Sequence, residues 1–197
     1  MGTIDILSIE PTLGFVVETD RGSLPFGLIH GESLVACAAW ALGDAGVTLV
    51  DFDTPWPALT VSGERVAIHD VLCPMTPASF IAEAIVRSEE TDAVVVGVRP
   101  VTDTVKELAA GAIGGTVDRD GLWQVASPLV LPAEAVAALG EGPGTTDFAA
   151  VVGLLAERGF TIETLEAPAE ARRVATADEV RLLEAQTAQA AQGRSGL

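Results

Sequence analysis

Short apolar runs that alternate with helix-like segments are the feature that most limits the fold of this chain. The clearest run is TDAVVVGV at residues 91–98, which is rich in β-branched residues and bounded by turn-forming residues. Two more runs have the same character, ERVAIHDV at 64–71 and IDILSIEP at 4–11. Continuous runs of this kind are typical of strands covered on both faces. We therefore expect them to be buried strands of a parallel sheet.

Further segments complete a strand–helix alternation. VTLVDF at 47–52 is a strand candidate and TIETLEA at 161–167 an edge strand. Helices are predicted in between, one of them with Thr76 as N-cap and Pro77 at its first position. They cover residues 31–46, 76–90, 132–140 and 146–159, and a last helix starts at the capping box TADE at 176–179. This order predicts a three-layer α/β domain with a mainly parallel sheet over residues 1–188, and a disordered tail at 189–197.

Composition limits the partners of this domain. The formal net charge is −17, and Lys106 is the only lysine among 11 basic residues. An acidic surface repels nucleic acid, so a role in binding DNA or RNA is not expected. The same negative field opposes phosphate-bearing small molecules, and any phosphate site must therefore depend on a few arginines. No apolar run is long enough for a membrane span, and the N-terminus has no basic region of a secretory signal. Cys37 and Cys73 lack metal-ligand spacing. Together, the low cysteine content and the lack of a signal or span in the sequence predict a cytoplasmic protein without membrane contact.

Polar residues follow two of the predicted strands, where α/β sheets bind ligands. HDVLCP places Asp70 at the end of a strand, where its carboxylate can hold a cation or a sugar hydroxyl; the alternative is a solvated residue that caps the next turn. His69 by itself is typical of a packed histidine. In RPVTDTVK, Thr104 and its neighbours favour a simple turn with side-chain-to-backbone bonds.

Two arginine-bearing stretches are further candidates. TVDRDGLWQVASPLVLP at 116–132 has neither a helical stripe nor a clean strand alternation, so it is interpreted as a polar insert. Arg119 in such a loop is commonly a surface residue. Arg172 and Arg173 lie just before a predicted helix N-terminus, a position that favours anions, or they are simply solvated charges.

The order of these motifs resembles that of the 2-C-methyl-D-erythritol 4-phosphate cytidylyltransferases of non-mevalonate isoprenoid synthesis. The resemblance covers the chain to about residue 185, and TVDRDGLWQ is its most specific part. It implies a nucleotide-diphospho-sugar transferase-like fold with a protruding β-arm at about residues 100–130, exchanged in a homodimer. The motifs are HDVLCP, PVTDTVK, TVDRDGLWQVASP, TD at 146–147 and RRVATADE.

The resemblance also implies a site. It would bind CTP and a phosphorylated sugar alcohol, with Mg²⁺ if the protein is active and Asp70 as a possible metal ligand. Ser127 stands where the family has Thr, and Arg173 where it has Lys. The positions that match the family's substrate-phosphate-binding residues are Asp70, Thr104, Arg119, Ser127, Thr146 and Arg173.

The nucleotide-binding half departs from the family pattern. Gly14 can be placed on the glycine-rich motif as a cofactor contact, but Glu18 replaces its arginine and Phe26 or Gly27 its later lysine. The segment that binds cytosine and ribose has no counterpart, and Cys73 replaces another arginine. Arg21 is a possible substitute cation. These departures predict an impaired cytidylyltransferase or, alternatively, a non-catalytic paralogue that serves as a ligand-binding or interaction module.

Overall fold

A six-stranded sheet forms the centre of the computed structural model, which describes residues 10–51, 53–109 and 111–194. The strand order is β10-β6-β9-β5-β1-β4. The strands are β1 Thr12–Val17, β2 Leu28–Ile29, β3 Glu32–Ser33, β4 Thr48–Leu49, β5 Arg65–Asp70, β6 Val94–Pro100, β7 Val105–Ala109, β8 Ala112–Val117, β9 Trp123–Leu131 and β10 Ile162–Glu166. The α-helices are α1 Leu34–Asp44, α2 Trp56–Ser62, α3 Ala78–Thr91, α4 Ala133–Ala138, α5 Phe148–Glu157 and α6 Ala177–Arg194.

The pairing of the strands confirms a mainly parallel sheet. Strand β1 lies parallel to β4 and β5, and β10 lies parallel to β6. Strand β9 is antiparallel to both β5 and β6. Helices cover both faces, so the predicted three-layer α/β class is confirmed.

Each face of the sheet has its own apolar core. On one face Ile68 and Leu129 pack against residues of α2, α4 and α5, including Trp56 and Phe148. On the other face, Ala67, Val95 and Val130 pack against Leu42 of α1 and against Ile81 and Ile85 of α3. Neighbouring residues of one strand therefore belong to different cores, which is why the strand sequences are apolar throughout.

The polar-insert interpretation of residues 116–132 was wrong for its second half. Residues 126–131 are buried in β9, the longest strand and a central one. A strand covered on both faces shows no polar alternation, so the pattern concealed it. The hairpin of β7 and β8 forms a separate two-stranded sheet. It covers fewer residues than the arm predicted at 100–130.

Two predicted element boundaries differ from the structure. The strand predicted at 4–11 lies outside the described residues except for its last two, and β1 begins at Thr12. Thr76 is not the N-cap of α3, since Pro77 holds that position and the Thr76 hydroxyl donates to the Cys73 carbonyl at 2.8 Å. Helix α6 continues to Arg194, past the tail predicted from 189, because its Ala and Gln residues favour helix.

Strand β1 contains Gly14. This residue lies buried within the strand, three residues before the loop, and not in a glycine-rich nucleotide loop. A Cβ there would lie 2.5 Å from the Ala67 carbonyl oxygen and 2.6 Å from Val47 Cγ1. Gly14 is therefore explained by close packing of β1 against its neighbours.

A substitution at Gly14 tests this packing role. Gly14→Ala is expected to lower the free energy of unfolding by about 1–3 kcal/mol, because backbone and side chain must move apart. Gly153→Ala is the matched control, since a Cβ at this α5 position meets nothing within 4 Å. It is expected to stabilise by about 0.5–1 kcal/mol. Urea denaturation measures both, and an equal effect at the two sites would contradict the packing role.

No helix in the described part of the chain is both long and apolar enough to cross a membrane.

Candidate functional site

A cavity of about 380 Å³ lies at the carboxyl end of the central strands. Strand β5 ends there at Asp70, and the loop after β1 brings Arg21. Thr146 comes from the segment before α5, and Arg173 from the segment before α6. Four separate parts of the chain thus converge at the edge where α/β sheets bind ligands.

An ion-pair cluster forms one wall of this cavity. Arg21 Nε lies 3.2 Å from Asp70 Oδ1, and its Nη2 lies 3.3 Å from Oδ2. Arg173 Nε lies 3.0 Å from the same Oδ2. Arg21 also donates to the Thr146 carbonyl at 3.1 Å and to its hydroxyl at 3.4 Å. The side chains of Asp70 and Arg21 are only 8% and 11% exposed, so these contacts are weakly screened by solvent.

Within the cluster, two guanidinium groups share one carboxylate, in a protein whose overall charge is strongly negative. The cavity lining also includes Asp147, the exposed N-cap of α5, so the lining holds two arginines and two aspartates. Guanidinium groups present a planar set of donors that fits phosphate and carboxylate oxygens. The arginine pair therefore gives the cluster, rather than the cavity as a whole, the chemistry to contact a small anion.

Local backbone geometry orients both partners of the main ion pair. Asp20 and Gly22, on either side of Arg21, have positive φ values of 61° and 59°. This left-handed geometry turns the loop sharply at Arg21. On the other side, Asp70 Oδ1 accepts a hydrogen bond from the Leu72 amide at 3.0 Å, which fixes the carboxylate.

Ser127 lies behind the cavity wall and not in it. Its side chain is fully buried, and its hydroxyl accepts a hydrogen bond from the Asp70 amide at 3.0 Å. The same hydroxyl is hydrogen-bonded to His69 Nδ1. Ser127 was predicted as a phosphate ligand, but this geometry gives it a supporting role for the Asp70 backbone.

His69 is a packed histidine, as its sequence context indicated. Burial lowers its pKa from 6.5 to about 4, although the nearby Asp70 carboxylate acts in the opposite direction. Its Nε2 has no hydrogen-bond partner within the described residues. The ring is therefore neutral at pH 7, and it contributes no charge to the site.

Thr104 and Arg119 do not join the cluster. Both are exposed, and the Arg119 guanidinium donates to the Thr102 carbonyl. Neither is among the residues that line the cavity. A contact between Arg119 and a ligand of another subunit stays a prediction. Gln124, at the end of the TVDRDGLWQ motif, does line the cavity, and sequence reasoning did not select it.

The residues present do not fit Mg²⁺ at Asp70. Mg²⁺ needs free oxygen ligands in octahedral geometry. Both Asp70 oxygens already accept hydrogen bonds from arginine side chains, and one also accepts from the Leu72 amide. Within residues 10–51, 53–109 and 111–194 there is also no group of three His, Cys, Asp or Glu side chains that could hold a metal.

The mainly parallel sheet with an arginine-bearing cavity at its carboxyl edge defines an α/β protein, and solved structures of cytidylyltransferases share its fold. A 2-C-methyl-D-erythritol 4-phosphate cytidylyltransferase from Thermus thermophilus is 22% identical, with a TM-score of 0.66 over 91% of this chain and 98% of that one. A 4-diphosphocytidyl-2C-methyl-D-erythritol synthase from Anaerococcus prevotii is 12% identical, with a TM-score of 0.69 over 90% and 96%.

The sequence model of the 2-C-methyl-D-erythritol 4-phosphate cytidylyltransferase (IspD) family matches residues 54–189. The chain belongs to this family, as its motif order predicted. The curated enzyme of Bacillus licheniformis is 31% identical over 132 residues, which are 62% of this chain and 53% of that one. The enzyme of Escherichia coli O157:H7 is 30% identical over 152 residues, 70% and 63% of the two chains. The chain thus spans about half to just under two thirds of these relatives.

Proposed function

We propose that the protein is a cytidylyltransferase-like member of its family that binds a phosphorylated sugar alcohol in the Asp70 cavity and is impaired in cytidylyl transfer from CTP. The observation that carries the proposal is the pair of arginines, Arg21 and Arg173, on one carboxylate. Their two sets of guanidinium donors, which share one carboxylate, support binding of a phosphate. The hydroxyl of Thr146 and the amide of Gln124 suit the hydroxyls of a sugar alcohol.

The proposed impairment follows from the charge that the reaction requires. In cytidylyl transfer, a phosphate oxygen of the acceptor attacks the α-phosphorus of CTP, and pyrophosphate leaves. Two anions must meet, so catalysis depends on cations and donors that stabilise the charge on the transferred group. Here Glu18 adds a negative charge to the loop after β1, and Phe26 is 68% exposed without a charge. Loss of one such cation costs about 3 kcal/mol in the barrier, roughly a hundredfold in rate.

Binding of inorganic phosphate and of methylerythritol phosphate tests the site directly. Arg21→Ala is expected to weaken both by about tenfold to a hundredfold, since it removes charge-assisted hydrogen bonds to the phosphate. Isothermal titration calorimetry measures the affinity. Arg181→Ala is the matched control, because this arginine is 77% exposed and pairs only with Asp178 among the described residues. The proposal is wrong if the wild-type protein binds neither phosphate, or if both variants bind equally well.

Pyrophosphate release decides between the impaired enzyme and a non-catalytic paralogue. The saturated Asp70 carboxylate favours the non-catalytic alternative, because it leaves no free oxygen for Mg²⁺. Slow release from CTP and methylerythritol phosphate, abolished in Arg21→Ala, would support the impaired enzyme. No release above blank at high protein concentration would leave a ligand-binding module. Chelation by EDTA is expected to leave phosphate binding unchanged in both cases.

The hairpin of β7 and β8 is the proposed dimer arm. Leu108 and Ile113 face each other across the two strands and are 75% and 77% exposed. An exposed apolar pair on a projecting hairpin suits burial against a second copy of the chain. In this arrangement Arg119 of one subunit would reach the cavity of the other.

A charge on this hairpin tests the arm. Leu108→Asp is expected to convert a homodimer to monomers, because it places a carboxylate in an apolar contact. Light scattering coupled to size-exclusion chromatography measures the mass. Val61→Asp is the matched control, since Val61 on α2 is 85% exposed and far along the chain from the hairpin. A monomeric wild-type protein would refute the dimer.

A further inference from the structure

A second cavity, of about 170 Å³, lies beside the anion site. Thr146 and Phe148 line both cavities, so the two share a wall. The rest of the second lining is aromatic or aliphatic apart from two further threonines, and it includes Trp56, Leu129 and Val151. A chamber lined by charged and polar side chains and an apolar chamber therefore adjoin at the carboxyl edge of the sheet.

Trp56 makes the second cavity apolar. It is the first residue of α2 and is buried. The indole Nε1 donates to the Val136 carbonyl at 3.0 Å, so its one polar group is already satisfied within the fold. Its ring packs edge-to-face against Phe15, with centroids 6.4 Å apart. The indole thus offers a ligand its carbon surface.

The polar groups of this cavity are at its mouth. Thr19 and Thr145 are exposed, and the Thr146 hydroxyl already accepts a hydrogen bond from Arg21. A nucleobase in the apolar interior would leave ring nitrogens and carbonyl oxygens without partners, at the cost of their desolvation. A hydrocarbon group carries no such cost, and it gains from each contact with the lining.

We propose that the two cavities together bind a phosphate monoester that carries, besides the hydroxyls of the proposed sugar alcohol, an apolar group about the size of a benzene ring. The phosphate lies on Arg21 and Arg173, and the apolar group enters the chamber formed by Trp56, Leu129 and Val151. The size follows from the volume, since an apolar protein cavity of about 150 Å³ holds benzene. This inference rests on the proposed function and adds an apolar group to its phosphorylated ligand.

Three phosphates that differ in the polarity and size of their organic part test the proposal. Phenyl phosphate is the matching probe, glycerol 3-phosphate has a polar organic part, and inorganic phosphate has none. Calorimetric titration is expected to show phenyl phosphate binding at least about tenfold more tightly than the other two, from the apolar surface that it buries. Nuclear Overhauser contacts should join its ring protons to the methyl groups of Leu129 and Val151.

A cavity-filling variant gives an independent readout. Val151→Phe fills the apolar chamber, so it is expected to remove the advantage of phenyl phosphate and keep the affinity for inorganic phosphate. Val61→Phe, at an exposed site, is the control and should change neither. Thermal melts establish that both variants fold, and if Val151→Phe does not, the methyl contacts in the wild-type protein decide alone.

The outcomes separate this inference from the proposed function. Equal affinities for the three phosphates, without methyl contacts, would overturn the apolar ligand and leave the anion site intact. Binding of none of them would overturn both. Nuclear Overhauser contacts from the cytosine protons of CMP to Leu129 and Val151 would show that the apolar chamber binds a nucleobase, and they would overturn the inference.

Discussion

Replacing Asp70 by Asn is expected to lower the free energy of unfolding by about 3 kcal/mol. The substitution keeps the size of the side chain but removes the only negative charge of the ion-pair cluster. Arg21 is 11% exposed, so its charge would stay buried without a counterion. Breaking a buried pair at one partner costs about 3–5 kcal/mol, and the greater exposure of Arg173 (34%) moves the expectation to the lower end. Urea denaturation at pH 7 measures the loss.

Phosphate should reverse part of this loss. Without the carboxylate, two guanidinium groups are free to bind an anion, and a ligand that binds only the folded state stabilises it in proportion to its concentration. Asp70→Asn is therefore expected to gain more stability from added phosphate than the wild-type protein does. Asp178→Asn is the control, because its pair with Arg181 is exposed and contributes little. If both variants lose equal stability, or if phosphate has no differential effect, the cluster is not a buried anion site.

Much of the fold could be predicted from the sequence, because apolar runs and helix-capping residues indicate strands and helices locally. The runs around Ile68 and Val96 are apolar on both faces, and the helix at α5 begins and ends where its capping residues indicate. Strand β9 could not be predicted in this way. Its first two residues are exposed and Gln124 lines the cavity, while Leu129 and Leu131 belong to the core, so two environments share one strand. Only the pairing with β5 and β6 reveals it as central.

The candidate site was predictable in part. Asp70 ends a strand with an obvious apolar pattern, and the motif order selected Thr146 and Arg173. The contact of Arg21 with Asp70 joins residues 49 positions apart and depends on positive φ values in the loop, which the sequence could offer only as a possibility. The burial of Ser127 and the apolar chamber around Trp56 depend on packing between distant segments. Such contacts carry no local signal.

Acid is expected to destabilise the protein through His69. Its pKa is near 6.5 in the unfolded chain and about 4 in the folded protein, because burial disfavours the charged ring. Between these values the unfolded state binds more protons than the folded state, so stability decreases as pH falls from about 7 to 4. The shift corresponds to a contribution of about 3 kcal/mol, fully present above pH 7 and lost below pH 4.

A variant isolates this contribution from that of the many carboxylates. His69→Gln should be less stable than wild type at pH 7, since it disturbs the hydrogen bond to Ser127. The difference between the two proteins should narrow as pH falls to 4, because only the wild type loses the histidine contribution. Parallel profiles for His69→Gln and the wild type would mean that the folded protein protonates His69 as readily as the unfolded chain does. The wall behind Asp70 would then be open to solvent and not packed as the structure has it.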